Sequence, residues 1–140
     1  MKNLRSILFV LAALLLATAA HAQSTNVTAS VPFAFVVADH EYAAGDYAVK
    51  SVSESGVPSL IDKKDEAERG MALSTACSSA KPSPTTRLVF HRMGNAYFLY
   101  QIWQEGSSRG REFPTSKTEI ELARNSIQPE VVIVAANLNR

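Results

Sequence analysis

"RLVFHRMGNAYFLYQIWQE", residues Arg87 to Glu105, decides the fold. Two runs rich in β-branched and aromatic residues flank Gly94-Asn95, a two-residue turn suited to positive φ. The hairpin register that follows sets Met93 opposite Ala96, His91 opposite Phe98 and Phe90 opposite Leu99. Uninterrupted alternation then places Leu88, Phe90, Leu99 and Trp103 on one face, and Val89, Phe98, Tyr100 and Ile102 on the other. Both faces are largely apolar. Such a hairpin sits centrally, covered on both sides, or its outer face lines a pocket.

Working outward, short strand signals recur on both sides. Val27 to Val37 is rich in Val and Phe but carries Pro32, which cannot donate to a ladder, so this strand lies at an edge or breaks there. Ala44-Gly45-Asp46 reads as a turn, with Gly45 helping the chain reverse. From Tyr47 the alternation resumes, with Tyr47, Val49 and Ser51 facing one way. Ser59 to Asp62 and Met71 to Cys77 are further strands, separated by the charged excursion "DKKDEAERG". "SSAKPSPTT" reads as a loop. After the hairpin, Ser116 followed three residues later by Glu119 fits a capping box and predicts a short helix over Lys117 to Arg124. A strand competes there, because Thr118, Ile120 and Leu122 also alternate. Val131 to Ala135 is an apolar β-branched run fit for a buried last strand. The expectation is an all-β fold, an antiparallel sandwich or small barrel of six to eight strands with one short helix near the C-terminus.

The chain opens "MKNLRSILFVLAALLLATAAHAQS", with the three parts of a secretory signal peptide. Lys2 and Arg5 precede an apolar run, and Ala20-His21-Ala22 supplies the small residues of a cleavage site. The run is shorter than the ~20 residues a membrane helix needs. The expected organisation is a signal peptide over residues 1–22 and a single β-rich domain over 23–140, exported to the periplasm or beyond the cell. Removing the leader leaves 118 residues with 12 basic and 13 acidic side chains. That balance gives no electrostatic reason for nucleic acid or an anionic membrane as partner. Cys77 is the only cysteine, so no intrachain disulfide forms. In an oxidising compartment it is either a buried small hydrophobe or a thiol that pairs between chains.

"VPFAFVVADHEYAAGDYAVKSV", Val31 to Val52, resembles the opening signature of small exported proteins of acidobacterial type, in which a V-P-F-x-F-x-V run leads to an A-G-x-Y-x-V hairpin. "RLVFHRMGNAYFLYQIW" and "GREFPTSKTEIELAR" resemble later blocks of that group. Ala43 stands where proline is expected in the turn. The resemblance implies an all-β fold of unknown function, and it supplies no catalytic residue.

Reactive chemistry is thin. His40 lies in a polar segment and His91 within a strand, and no spacing orders them into a pair. No Gly-x-Ser-x-Gly is present, and no Cys/His cluster has zinc spacing. Glu119 and Glu121 diverge by about 200° on a helix. Asp62, Asp65, Glu66 and Glu68 are interrupted by Lys63, Lys64 and Arg69, against a calcium loop. Arg92, Arg109 and Arg111 suggest surface pairing more than a basic patch. Neither a catalytic residue nor a cofactor or metal is expected. The densest constellation is aromatic: Phe98, Tyr100 and Trp103 either pack as core or line an apolar cavity. The expected function is a non-enzymatic interaction or structural module of the envelope or extracellular space, and a carrier of a hydrophobic small molecule is the alternative. A hydrolase would require a histidine to meet a serine or carboxylate in space.

Overall fold

The computed structural model describes residues 26–51, 59–63 and 69–139. The expected leader, residues 52–58 and the tip of the charged excursion at 64–68 lie outside the described residues. The rest is an all-β sandwich with one short helix near the C-terminus.

Twelve short strands are seen among the described residues, because several runs that read as continuous are broken in two. Pro32 ends β1 (Asn26–Val31), and the chain resumes as β2 (Phe35–Val37). β3 (His40–Tyr42) folds back on β2 through a turn at Ala38, which adopts a left-handed φ of 55°. Gly45 is not the turning residue. It opens β4 (Gly45–Ser51), opposite Val31 in an antiparallel ladder with β1. β5 (Ser59–Lys63) and β6 (Arg69–Ala72) complete that side. The Met71–Cys77 run splits at Leu73-Ser74 into β6 and β7 (Thr75–Ser78).

The expected hairpin is β8 (Arg87–Met93) and β9 (Ala96–Trp103), with Gly94 at φ 64° in its turn. β10 (Arg109–Glu112), β11 (Glu130–Ala135) and β12 (Asn137–Asn139) follow. One sheet runs β12-β1-β4-β5-β6 and the other β11-β8-β9-β10-β7, with β2 joining β9 in parallel at Val36 and Phe98. At both lateral seams a single strand run passes from one sheet to the other. β6 leads into β7 across two residues, and β11 leads into β12 across Ala136. Breaking a strand this way lets the same chain finish one sheet and start the next.

The interior between the sheets is apolar and filled. Phe35, Tyr42 and Tyr47 form a ring cluster with centroids 5.1–6.0 Å apart, joined by Phe90 at 5.4 Å from Phe35. Val31, Val37, Ile61, Leu88 and Phe90 are each 2% exposed or less. Gly70 on β6 is required by close approach, since a Cβ there would collide with the Tyr42 hydroxyl.

The hairpin register holds near the turn and slips further along. His91 faces Phe98 and Phe90 faces Leu99, but Val89 faces Gln101, leaving Tyr100 as the extra residue of a β-bulge. Beyond the bulge the faces exchange. Ile102, opposite Leu88, joins Phe90 and Leu99 in the core, whereas Trp103 turns to the outer face opposite Arg87. This corrects the alternation drawn from sequence, which had grouped Trp103 with Leu88, Phe90 and Leu99, and Ile102 with Val89 and Phe98. No local residue type announces the bulge.

α1 (Lys117–Arg124) matches the capping-box boundaries rather than the competing strand. Eight residues make a marginal helix by themselves, and none of these is buried. Its N-terminal end is held instead. The Ser116 hydroxyl accepts from the Glu119 backbone N–H at 3.1 Å, and the Asp39 carboxylate accepts from the Lys117 N–H at 3.0 Å. Phe113, 3% exposed, anchors the approach to the helix.

Candidate functional site

The outer face of the β11-β8-β9-β10-β7 sheet carries what polar order the molecule has. On β8, Arg87, Val89 and His91 point away from the core positions Leu88 and Phe90. His91 approaches α1. Its Nδ1 lies 2.8 Å from Oε1 of Glu119, with both side chains mostly buried. A carboxylate only accepts, so Nδ1–H donates and the pair fixes the orientation of the ring. Glu119 thus leaves the capping box half made, since its side chain is spent on the sheet and only Ser116 caps. Tyr100, the bulged residue on the same face as Phe98, stacks on the His91 imidazole at 4.1 Å.

A second polar chain lies beside Tyr100. The Glu112 carboxylate accepts from Gln101 Nε2 at 2.8 Å. Trp103 Nε1 donates to Gln101 Oε1 at 3.0 Å. Burial first, and the Glu112 charge second, push the Tyr100 hydroxyl above the ordinary phenol range, so it stays protonated as a donor. Trp103 lies across Gly110, where a Cβ would meet the indole ring at 2.8 Å. Opposite Gly110 sits Cys77, half-buried on β7, its thiol raised by burial and then by Glu112.

An open groove of about 440 Å³ runs between α1 and this face, lined by His91, Met93, Glu119, Ile120, Ala123 and Pro129 among others. Beyond the groove the β11 side of the sheet is bare. Val131 and Ile133 on β11 are 60% and 59% exposed, beside His91 and Val89 in the ladder. The last apolar run is therefore only half buried. Val132 and Val134 pack against the core, and their neighbours face out.

No protein-family model, curated protein or solved structure matches the chain. The site is accordingly read from its own geometry.

Of the aromatic residues singled out in the sequence, Phe98 is 1% exposed, Trp103 is 8% exposed, and Tyr100 is half-buried over His91. Trp103 is joined to Glu112 through Gln101, and Phe98 packs on the same face at the register position of His91. None of the three lines the groove. His40 is exposed on β3, on a different element from His91. Arg92 and the β10 arginines do not converge. Arg92 lies over the Tyr97 ring and 3.7 Å from Glu130, while Arg111 donates to the Ser74 hydroxyl. Among the described residues no cluster of His, Cys, Asp and Glu is fit to hold a metal, and no helix is long and apolar enough to cross a membrane.

Sequence reasoning missed the His91–Glu119 contact because the partners are 28 residues apart. The signal that could have found it is the capping box itself. An N3 glutamate sits at the start of a helix whose apolar side must cover the hairpin, and His91 is the polar residue on the face to be covered. Chemically, a histidine–carboxylate pair can hold and orient a proton. Nucleophilic catalysis needs in addition a hydroxyl or thiol bonded to that histidine. Among the described residues, the hydrogen-bond partner of His91 is Glu119.

Proposed function

We propose that this chain is an exported, non-catalytic β-sandwich domain that acts as an interaction module in the envelope or outside the cell. Its recognition surface is the outer face around β11, β8 and α1. The observation that carries the reading is the exposure of Val131 and Ile133, 60% and 59%, side by side on a sheet face. Single exposed apolar residues are ordinary, but adjacent β-branched ones beside an apolar groove mark a contact surface. The leader-like N-terminus supports export, as does the resemblance to small exported proteins of acidobacterial type. The His91–Glu119 pair is read as a clasp that ties an otherwise unburied helix to the sheet, not as half of a catalytic triad.

The test is capture from the native envelope with the processed protein as bait, against a Val131→Ser/Ile133→Ser double variant. A specific partner recovered by the parent and lost with the variant supports the reading. Equal recovery by both removes this face as the recognition surface.

The carrier alternative draws on one observation, the groove of about 440 Å³ between helix and sheet, which lies within the size range of small-molecule sites. Native mass spectrometry of protein from its own host separates the two readings. A retained apolar ligand supports the carrier, and a bare polypeptide mass counts against it.

A further inference from the structure

The groove under α1 is polar at its two ends and apolar between them. At one end the His91 ring is already fixed, by Glu119 on Nδ1 and by Tyr100 stacked at 4.1 Å. Its other nitrogen, Nε2, is open to solvent and bonded to no group of the described residues. A neutral ring that holds its proton on Nδ1 offers Nε2 as an acceptor. Thr115 lines the same groove just before the helix, and its hydroxyl has no hydrogen-bond partner among the described residues. At the other end stands Arg124, which makes no ion pair or hydrogen bond among the described residues. α1 turns Glu119, Ile120, Ala123 and Arg124 to this side. Five residues of helix set Arg124 about 7.5 Å further along than Glu119. The two charges of the groove are therefore unequal in what they can offer. Glu119 is engaged by His91, whereas Arg124 is unmatched. Glu130 faces Arg92 at 3.7 Å and does not line the groove.

We propose that this groove binds a small organic acid, with an apolar body, a carboxylate at one end and a hydroxyl at the other. The carboxylate pairs with Arg124. The body lies along Met93, Ile120 and Ala123. The hydroxyl donates to His91 Nε2 and accepts from Thr115. Glu119 sets the direction, since a ligand turned end for end would bring a second carboxylate beside its own. The clasp thus orients the imidazole for a ligand as well as tying the helix down. This rests on the carrier reading of the groove and narrows its ligand, and it is separate from the contact face at Val131 and Ile133. The groove is open and such a ligand small, so dissociation constants of about millimolar order are expected.

The test titrates para-hydroxyhydrocinnamate into the processed, isotope-labelled protein at pH 8 and follows the amide shifts. Two truncated probes accompany it: hydrocinnamate lacks the hydroxyl, and para-ethylphenol lacks the carboxylate. The expected result is saturable shifts confined to β8 near His91 and to Lys117–Arg124, with each truncated probe weaker by about threefold or more. Arg124→Gln should weaken both acids by about threefold and leave para-ethylphenol unchanged, a split that a merely structural role for Arg124 would not give. Ala123→Trp fills the groove from an exposed helix position, and it should abolish all binding with an unchanged far-ultraviolet circular dichroism spectrum. If para-ethylphenol binds as tightly as the acids, or Arg124→Gln weakens all three probes alike, the acid is wrong and the carrier reading stands. If no probe binds, the proposal fails. Native mass spectrometry of protein from its own host then decides the carrier reading by itself: a retained ligand without an acid group keeps it, and a bare mass removes it too.

Discussion

The two faces of the β11-β8-β9-β10-β7 sheet are built on opposite principles. The inner face, with Leu88, Phe90, Leu99 and Ile102, is sealed by apolar packing against the other sheet. The outer face sets polar contacts beside buried Val89, Phe98 and Trp103: His91 to Glu119, Gln101 to Glu112, Trp103 to Gln101. It also leaves Val131 and Ile133 in solvent. One face makes the fold, and the other is available to do something with it. The difference teaches that a hairpin can be covered on both sides, as buried Val89, Phe98 and Trp103 are, while its neighbouring strand β11 stays exposed on one of them.

The largest effect should come from the inner face. Phe90→Ala removes a fully buried ring that touches Phe33 and Phe35. The loss should be about 3–5 kcal/mol by chemical denaturation, enough to threaten folding of a marginally stable domain. Next comes Gly110→Ala. Its Cβ would press on the Trp103 ring and the Ile102 carbonyl, neither of which can move without disturbing β9. Overpacking of that kind costs about 1–3 kcal/mol, with a shift in tryptophan fluorescence as an independent sign that the indole has moved.

The helix clasp is weaker still. Ser116→Ala should cost about 1 kcal/mol through loss of the cap to Glu119. Hydrogen exchange should then rise over Lys117–Arg124 and stay unchanged in β8 and β9. Equal acceleration in both would mean that helix and sheet open together, which would blur the distinction between the faces.

The smallest expected effect concerns Cys77. Because burial and Glu112 raise its thiol above the ordinary range, the thiolate is scarcer in the folded protein than in an unfolded chain. The sign follows: the neutral form is favoured by folding, so protection holds at neutral pH and is lost as pH climbs through the raised value. Alkylation at pH 8 should be slower than for the same protein in denaturant, and interchain disulfide should not accumulate. Labelling as fast in the native state would show an exposed thiol on β7.

Much of this was legible in the residues. The hairpin turn at Gly94-Asn95, the break at Pro32 and the helix at Lys117–Arg124 each rest on local chemistry: positive φ, a missing N–H, a capping hydroxyl. What escaped was non-local. The bulge at Tyr100 exchanges Ile102 and Trp103 between faces, and it arises from pairing with β8 rather than from any residue within β9. Gly45 looked like a turning residue, yet Ala38 takes the left-handed conformation. The half-burial of β11 also depends on which elements pack over it, and α1 stops short of Val131 and Ile133. The site was hidden for the same reason, since its histidine and its carboxylate meet only through the fold.

Urea denaturation of the processed Val131→Ser/Ile133→Ser variant tests the division between the faces most directly. If these side chains serve contact rather than the core, its stability matches the parent within about 0.5 kcal/mol. A loss of about 2 kcal/mol or more would mark them as core residues and contradict the account.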